Sequence, residues 1–337
     1  MKTILKLKSY LILFALTITI ASCDLKDDND RNGRITTSIV DIIKENPNLT
    51  TLVLLLEAES DELNIIPILS SPGQYTLLAP TNAAFETFLA GRALSEVPKN
   101  DLHQLLLNHI LTIDVNEATF KDANRQQLFY AKTAAYVLVD NQKSFINIYF
   151  NTTGNQLAFN GGTNNGGATA TEPDIAADNG FIHITDRVVE LPTIVDFVQV
   201  DPRFSFLLGA LTSSGQPDFV TILSTPVLTS PAPFTVFAPI NSAFTALTAV
   251  PTGEDLTKVL QHHVIGGANI LTNKISNGLE SPATLEGDKL QFSVRNNVGF
   301  IEDGSGNSDA KIIILDVQAK NGIVHAIDKV LIPDTTN

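Results

Sequence analysis

The sequence has no tryptophan, one methionine and a single cysteine in 337 residues. One cysteine permits no internal disulfide, so a chain of this kind outside the cell must be held together by its cores. Basic residues are scarce: 22 lysines and arginines stand against 36 acidic residues, a formal charge of −14. That balance disfavours nucleic acid and anionic membrane surfaces as partners. Gly-x-Ser-x-Gly, His-Glu-x-x-His and a glycine-rich phosphate loop are all missing, which removes the common signatures of serine hydrolases, zinc proteases and P-loop enzymes. A carboxylate pair acting on glycosides would leave no linear trace, and no such pair stands out. With no tryptophan and five tyrosines, an aromatic platform for sugars would be sparse. No catalytic residue, cofactor or metal site is therefore expected. His262 and His263 are sequence neighbours that diverge by about 100° on a helix and cannot easily share an ion. Asp303, Asn307 and Asp309 do not have EF-hand spacing and read as an exposed acidic hairpin with at most weak calcium affinity.

The N-terminal residues carry a targeting pattern. Lys2, Lys6 and Lys8 precede an apolar run from Tyr10 to Ala21 that is too short to span a bilayer comfortably. The run ends at Ile20-Ala21-Ser22-Cys23, which resembles a bacterial lipobox. The resemblance implies a leader over 1–22, cleaved before Cys23, and a lipid on Cys23. Removing the leader leaves 19 basic against 36 acidic residues, a charge of −17, and about 315 residues, enough for two domains with sizeable cores. Residues 23–35 are polar and acidic and read as a flexible tether. Within them Lys26-Asp27-Asp28 resembles the export signal of surface lipoproteins of Bacteroidetes, which implies display on the outer face of the outer membrane.

The rest of the chain is written twice. Thr76-Leu77-Leu78-Ala79-Pro80-Thr81-Asn82-Ala83-Ala84-Phe85 returns as Thr235-Val236-Phe237-Ala238-Pro239-Ile240-Asn241-Ser242-Ala243-Phe244. Ser38-Ile39-Val40-Asp41 returns as Thr193-Ile194-Val195-Asp196, and Asn179-Gly180-Phe181-Ile182-His183 returns as Asn321-Gly322-Ile323-Val324-His325. A repeat of this length is a domain, placing the first over 36–192 and the second over 193–334. Each copy mixes helical and strand patterns. A strand from Tyr75 to Ala79 stops at Pro80, with Thr81 or Asn82, and Asn241 in the second copy, as helix N-caps. Leu102 to Leu111 and Leu256 to Ile265 read as a second helix. Tyr136–Val139 and Phe145–Phe150 read as a hairpin, with Leu290–Val294 and Val298–Ile301 taking that place in the second copy. Phe159 to Asp178 reads as an exposed loop, its counterpart being the acidic loop 302–309. Because these loops differ most between the copies, they are where specificity is expected.

The Thr-x-x-Ala-Pro-x-Asn-x-Ala-Phe motif, a helix ending in Asn108-His109 or His262-His263, and Asn-Gly-x-x-His-x-x-Asp-x-Val together resemble the fasciclin domain. The resemblance implies an α+β fold of two tandem domains, each a wedge of packed β-sheets with several helices against it. It also implies a non-enzymatic adhesion or binding role. Pro80, Asn82, Phe85, Asn179, Gly180 and His183, with Pro239, Asn241, Phe244, Asn321, Gly322 and His325, are expected to be scaffold. Glu172-Pro173-Asp174-Ile175 resembles an integrin-recognition segment of animal fasciclin matrix proteins. The reading favoured for Asp174 and Asp316 is closure of a turn before the last strand. Asn108 and His262 occupy the tyrosine place of the family's adhesive Tyr-His pair, beside His109 and His263, and complete the candidate binding residues. The expected protein is a lipid-anchored adhesion or binding protein engaging an extracellular polymer, polysaccharide or surface protein, and no nucleic acid. A glycan-capture accessory of an outer-membrane uptake system, or a structural envelope protein, are the alternatives.

Overall fold

A reciprocal capping box starts the first repeat: Ser38 Oγ accepts from Asp41 N at 3.3 Å, and Asp41 Oδ2 accepts from Ser38 N at 3.1 Å. The computed structural model describes residues 37–63, 65–116, 130–153 and 156–334, so the expected leader, Cys23 and tether lie outside the described residues. Helix α1 (Ile39–Glu45) leads through a 3₁₀ turn into α2 (Thr50–Leu63) and α3 (Ile65–Leu69). Strand β1 (Tyr75–Pro80) runs into α4 (Asn82–Leu89), and α5 (Lys99–Asn108) into β2 (Ile110–Leu111). Then come β3 (Tyr130–Val139), β4 (Gln142–Thr153), β5 (Gln156–Phe159), β6 (Ala168–Ala177) and β7 (Gly180–Thr185). The seven strands close into a barrel in sequence order, β7 lying parallel to β1.

The second repeat follows the same plan. A Thr193–Asp196 capping box opens α6 (Ile194–Val200), followed by α7 (Ser205–Leu211) and α8 (Phe219–Leu223). Strand β8 (Phe234–Pro239) leads to α9 (Asn241–Thr245), α10 (Gly253–His262) and β9 (Val264–Gly266). Strands β10 (Leu279–Ala283), β11 (Lys289–Arg295), β12 (Val298–Glu302), β13 (Ala310–Ala319) and β14 (Gly322–Ile327) complete it. Their order is β10-β11-β12-β13-β14-β8-β9, and an Ile265–Thr284 bridge links the two ends of the sheet. The expected α+β pair of sheet-and-helix domains is thus present. The hairpin alignment of the two copies needs correcting. By position in the sheet, β3–β4 corresponds to β10–β11, and the β11–β12 hairpin corresponds to β4–β5. Both the Asp140-Asn141 and Asn296-Asn297 turns have two residues at positive φ, the geometry short hairpins need, and so look alike in sequence.

Strand alternation splits each repeat into two cores. In β1, Leu77 and Ala79 face the helices while Leu78 points into the barrel. In β8, Val236 and Ala238 face the helices and Phe237 points inward. The cap of α4 is Thr81, one of the two residues expected, and only the second copy departs from expectation. Thr81 Oγ1 accepts from Ala84 N, whereas in the second copy Ile240 holds that position without a side-chain cap. The asparagine shared by the two copies does something else. Asn82 Oδ1 accepts from Thr51 N and its Nδ2 donates to Pro47 O, tying α4 to the start of α2. Asn241 makes the same two bonds, from Phe206 N and to Pro202 O.

Among the described residues, β3 and β4 of the first repeat carry side-chain bonds to the second. Tyr149 belongs to the helix-side core of the second repeat. The Tyr130 hydroxyl donates to Asp201 Oδ2 at 2.9 Å, and Arg203 holds the same carboxylate through Nε and Nη2. Burial and the Asp201 charge push the Tyr130 hydroxyl pKa far up. Alongside, Gln318 N donates to Asn147 Oδ1 at 2.9 Å and Ser144 Oγ donates to Gln318 Oε1 at 2.7 Å. Replacing Tyr130 by Phe removes one bond to a buried charge and should lower stability by about 1–2 kcal/mol. Denaturant unfolding followed separately in each repeat should show both losing stability. A loss confined to the first repeat would contradict this coupling.

Candidate functional site

Four histidines are built into the frame. His109 caps α5; its Nδ1 donates to Leu105 O at 2.7 Å and its Nε2 accepts from Val189 N at 2.9 Å. His263 repeats this with Val259 O and Leu331 N. Each therefore staples the end of a helix to the chain leaving the last strand. On β7 and β14, His183 and His325 donate through Nε2 to Val115 O and Ile270 O. Their Nδ1 atoms accept from Asp174 N and Asp316 N. All four rings are buried with both nitrogens engaged. The expectation that His109 and His263 meet a ligand is corrected on that ground.

Asp174 and Asp316 do not close turns. They sit inside β6 and β13 at register shifts, with φ of 59° and 54°, as bulge residues. The bulge aims each backbone N–H at its histidine and brings the carboxylate within 3.8 Å and 3.9 Å of the ring. Asp186 and Asp328 serve elsewhere, accepting from Thr169 N and Lys311 N. Of the Glu172–Ile175 segment, Glu172 and Pro173 are exposed, while Asp174 and Ile175 are half-buried. These are the only residues of the expected binding set that face solvent.

The expected loops are folded in. Phe159 to Asp178 contains the end of β5, a 3₁₀ turn and all of β6, so most of it is not loop. Asn160 is buried, and its Oδ1 accepts from Tyr149 N at 2.9 Å. Backbone compactness rather than apolar content packs this turn: a Cβ on Gly167 would overlap Phe159 O. In the acidic loop, Asp303 is buried and accepts from Ser305 N, Asn307 N and Ile332 N. Asp309 pairs with Lys329. Asp303 is thus buried and engaged by three backbone donors rather than exposed as expected.

The two copies part at the position before the capping histidine. Asn108 is buried and satisfied: Nδ2 donates to Val189 O and Glu190 O, and Oδ1 accepts from Thr133 Oγ1. His262 is equally buried. Its Nε2 accepts from Gly304 N at 3.2 Å, and its Nδ1 lies 3.4 Å from Glu286 Oε2 without forming a hydrogen bond. Asp288 completes the cluster. Neither acidic residue stands out in the sequence; the only linear trace is an ionisable ring where the first copy carries an amide. Neither Asn108 nor His262 reaches the surface, so direct contact of either with a macromolecular partner is also corrected. What does reach the surface is a cleft of about 550 Å³ where β3 meets the second repeat, lined by Val137, Leu138, Ala268, Ile270 and Pro282. Lys274 and Asp140 bridge it at 3.2 Å, and Leu138 and Leu228 project beside it at 65% and 98% exposure.

A family model described as the fasciclin domain matches residues 47–192 and again 202–333. The Synechocystis protein sll1735 is 33% identical over 148 residues, 42% of this chain and 98% of that one. The pig transforming growth factor-beta-induced protein ig-h3 is 27% identical over 309 residues, 85% of this chain and 38% of its own length. Fasciclin-1 of the grasshopper Schistocerca americana is 24% identical over 303 residues, and the chain spans 42% of it. A solved FAS1 domain pair from the insect cell adhesion molecule fasciclin I superposes with a TM-score of 0.51 at 20% identity, covering 83% of this chain and 96% of that one. At that identity the likeness speaks for the fold.

Burial pushes the His109 pKa down to about 4 from its ordinary 6.5, partly offset by its bond to Leu105 O. The unfolded chain thus binds the extra proton first. The contribution is complete above pH 6.5 and is lost as pH falls toward 4, with about 3 kcal/mol at stake. Denaturant unfolding across that range should show stability falling with pH. His109→Gln should lower stability at pH 7 and flatten the slope by one histidine's share; an unchanged slope would contradict the assignment.

Proposed function

The chain belongs to the fasciclin-domain family, with two domains in tandem, and from that premise we propose that it is a lipid-anchored, non-enzymatic surface protein that binds an extracellular polymer or surface protein. The observation that carries this reading is the use of the paired domains' polar residues. Histidines, asparagines and aspartates of the family motif are spent on internal bonds, leaving the outer surfaces of a joined pair for contact. A tandem pair can engage a repetitive ligand at two points, which multiplies modest affinities. The solved relative's description as a cell adhesion molecule supports the same role. The Ile20-Ala21-Ser22-Cys23 pattern supports attachment through a lipid on Cys23, and the −17 charge of the chain beyond it supports attachment by lipid rather than by charge. The Lys26-Asp27-Asp28 run supports outward display.

Cys23→Ser should move the protein from the membrane fraction to the soluble fraction, and membrane retention would overturn the anchor. A strain lacking the protein should lose surface attachment or cell aggregation, and the Cys23→Ser form should fail to restore it. Restoration by the unanchored form would separate adhesion from anchoring. Turnover of a polysaccharide by the purified protein would overturn the non-enzymatic reading.

A further inference from the structure

We propose that the second domain holds one divalent transition-metal ion between His262, Glu286 and Asp288. The three residues come from two elements. His262 ends α10, while Glu286 and Asp288 lie on the turn joining β10 to β11. One donor atom from each lies within 4.8 Å of the others. Two ligands each about 2.1 Å from an ion stand about 3.4 Å apart at a tetrahedral angle. The His262 Nδ1 to Glu286 Oε2 separation is 3.4 Å. Asp288 offers the third donor within the same 4.8 Å.

A second observation points to a ligand. The His262 ring is fully buried, yet Nδ1 has no hydrogen-bond partner and faces the two carboxylates. Every other histidine of the strand and helix-cap positions has both nitrogens engaged. The carboxylates are already oriented from behind: Glu286 Oε2 accepts from Asp288 N at 3.1 Å, and Asp288 Oδ2 accepts from Asp334 N at 2.9 Å. Both side chains are only partly buried, which gives an ion a way in. Two carboxylates balance a double charge. The imidazole nitrogen selects zinc or a neighbouring first-row metal over calcium and magnesium, which take oxygen ligands.

The first domain is the internal control. Its Asn108 uses its amide on backbone carbonyls, and the turn that corresponds to β10–β11 is Asp140-Asn141, whose aspartate pairs with Lys274. The site therefore belongs to one repeat. Loading also has a structural consequence. Gly304 N donates to His262 Nε2 at 3.2 Å, which leaves the ring proton on Nδ1. A metal on Nδ1 sends that proton to Nε2, so the Gly304 N–H must turn away.

The test uses the whole chain, stripped with chelator and titrated with Zn²⁺, with Ca²⁺ as the contrast. Calorimetry should show one equivalent of Zn²⁺ bound with a raised Tm, and Co²⁺ should give the visible absorption of a low-symmetry nitrogen–oxygen site. The Gly304 amide resonance should shift on Zn²⁺ addition. Glu286→Gln, on the surface side of the site, should weaken binding at least about tenfold without altering the fold. His262→Asn, which installs the first domain's residue, should abolish it. Absence of saturable Zn²⁺ binding by the folded wild-type chain would overturn the site, as would equal binding by wild type and Glu286→Gln.

Discussion

The parallel pairing of the first and last strands of each repeat is the constraint on which the rest depends. A parallel pair cannot be closed by a short turn, so everything between β1 and β7 must form the crossover. The pairing is held in register by Asn179-Gly180 and Asn321-Gly322. Gly180 lies opposite Tyr75, where a Cβ would overlap Tyr75 O; Gly322 is pressed against Phe234 O in the same way. The asparagine before it ties three elements together. Asn179 Oδ1 accepts from Ile39 N at the start of α1, and Nδ2 donates to Leu69 O and Ser71 O at the end of α3. Asn321 does the same with Ile194 N, Leu223 O and Thr225 O. Removing such a residue leaves a buried donor and several backbone groups unpaired at once.

With that register set, the histidines follow. Leu78 pairs with His183 across β1 and β7, so the ring enters the barrel, where its Nε2 donates to Val115 O. The bulge at Asp174 exists to turn an N–H toward Nδ1. A buried imidazole with both nitrogens bonded rigidifies a core at no charge cost, and burial keeps it neutral. That is why the motif residues are repeated while being inaccessible: they serve the closure of each wedge.

Much of this was legible in the sequence because duplication repeats structural information. The strand ending at Pro80, the return of Ser38-Ile39-Val40-Asp41 as Thr193-Ile194-Val195-Asp196, and the repeat of a domain-sized unit all show in linear pattern. The sequence misled where spacing in the fold is decided by backbone contacts. Asn82 sits where an N-cap belongs, yet its partners, Thr51 N and Pro47 O, lie a helix away. The Gly/Asn run at 160–167 has the composition of a loop, yet backbone contacts and the Asn160 bond to Tyr149 pack it. Glu286 and Asp288 sit in an unremarkable turn, and only the fold brings them to His262.

The differences that matter between the copies are therefore charged replacements at buried positions rather than loop lengths. Asn46 and Asn48 of the first repeat form a neutral turn at the end of α1. The second repeat has Asp201 and Arg203 in those places, and there the carboxylate is buried. A buried carboxylate is costly unless paired and hydrogen-bonded. Arg203 and Tyr130 supply both, and Tyr130 comes from the other repeat. Docking of the first domain buries this carboxylate and supplies a further partner, so the Tyr130 bond links the two repeats at that point. His262 follows the same logic. A ring with an unsatisfied nitrogen is tolerable in a core only where an opposite charge or a ligand meets it. In both places the second copy carries an ionisable group where the first carries an amide, and the surrounding packing meets it with a charged partner.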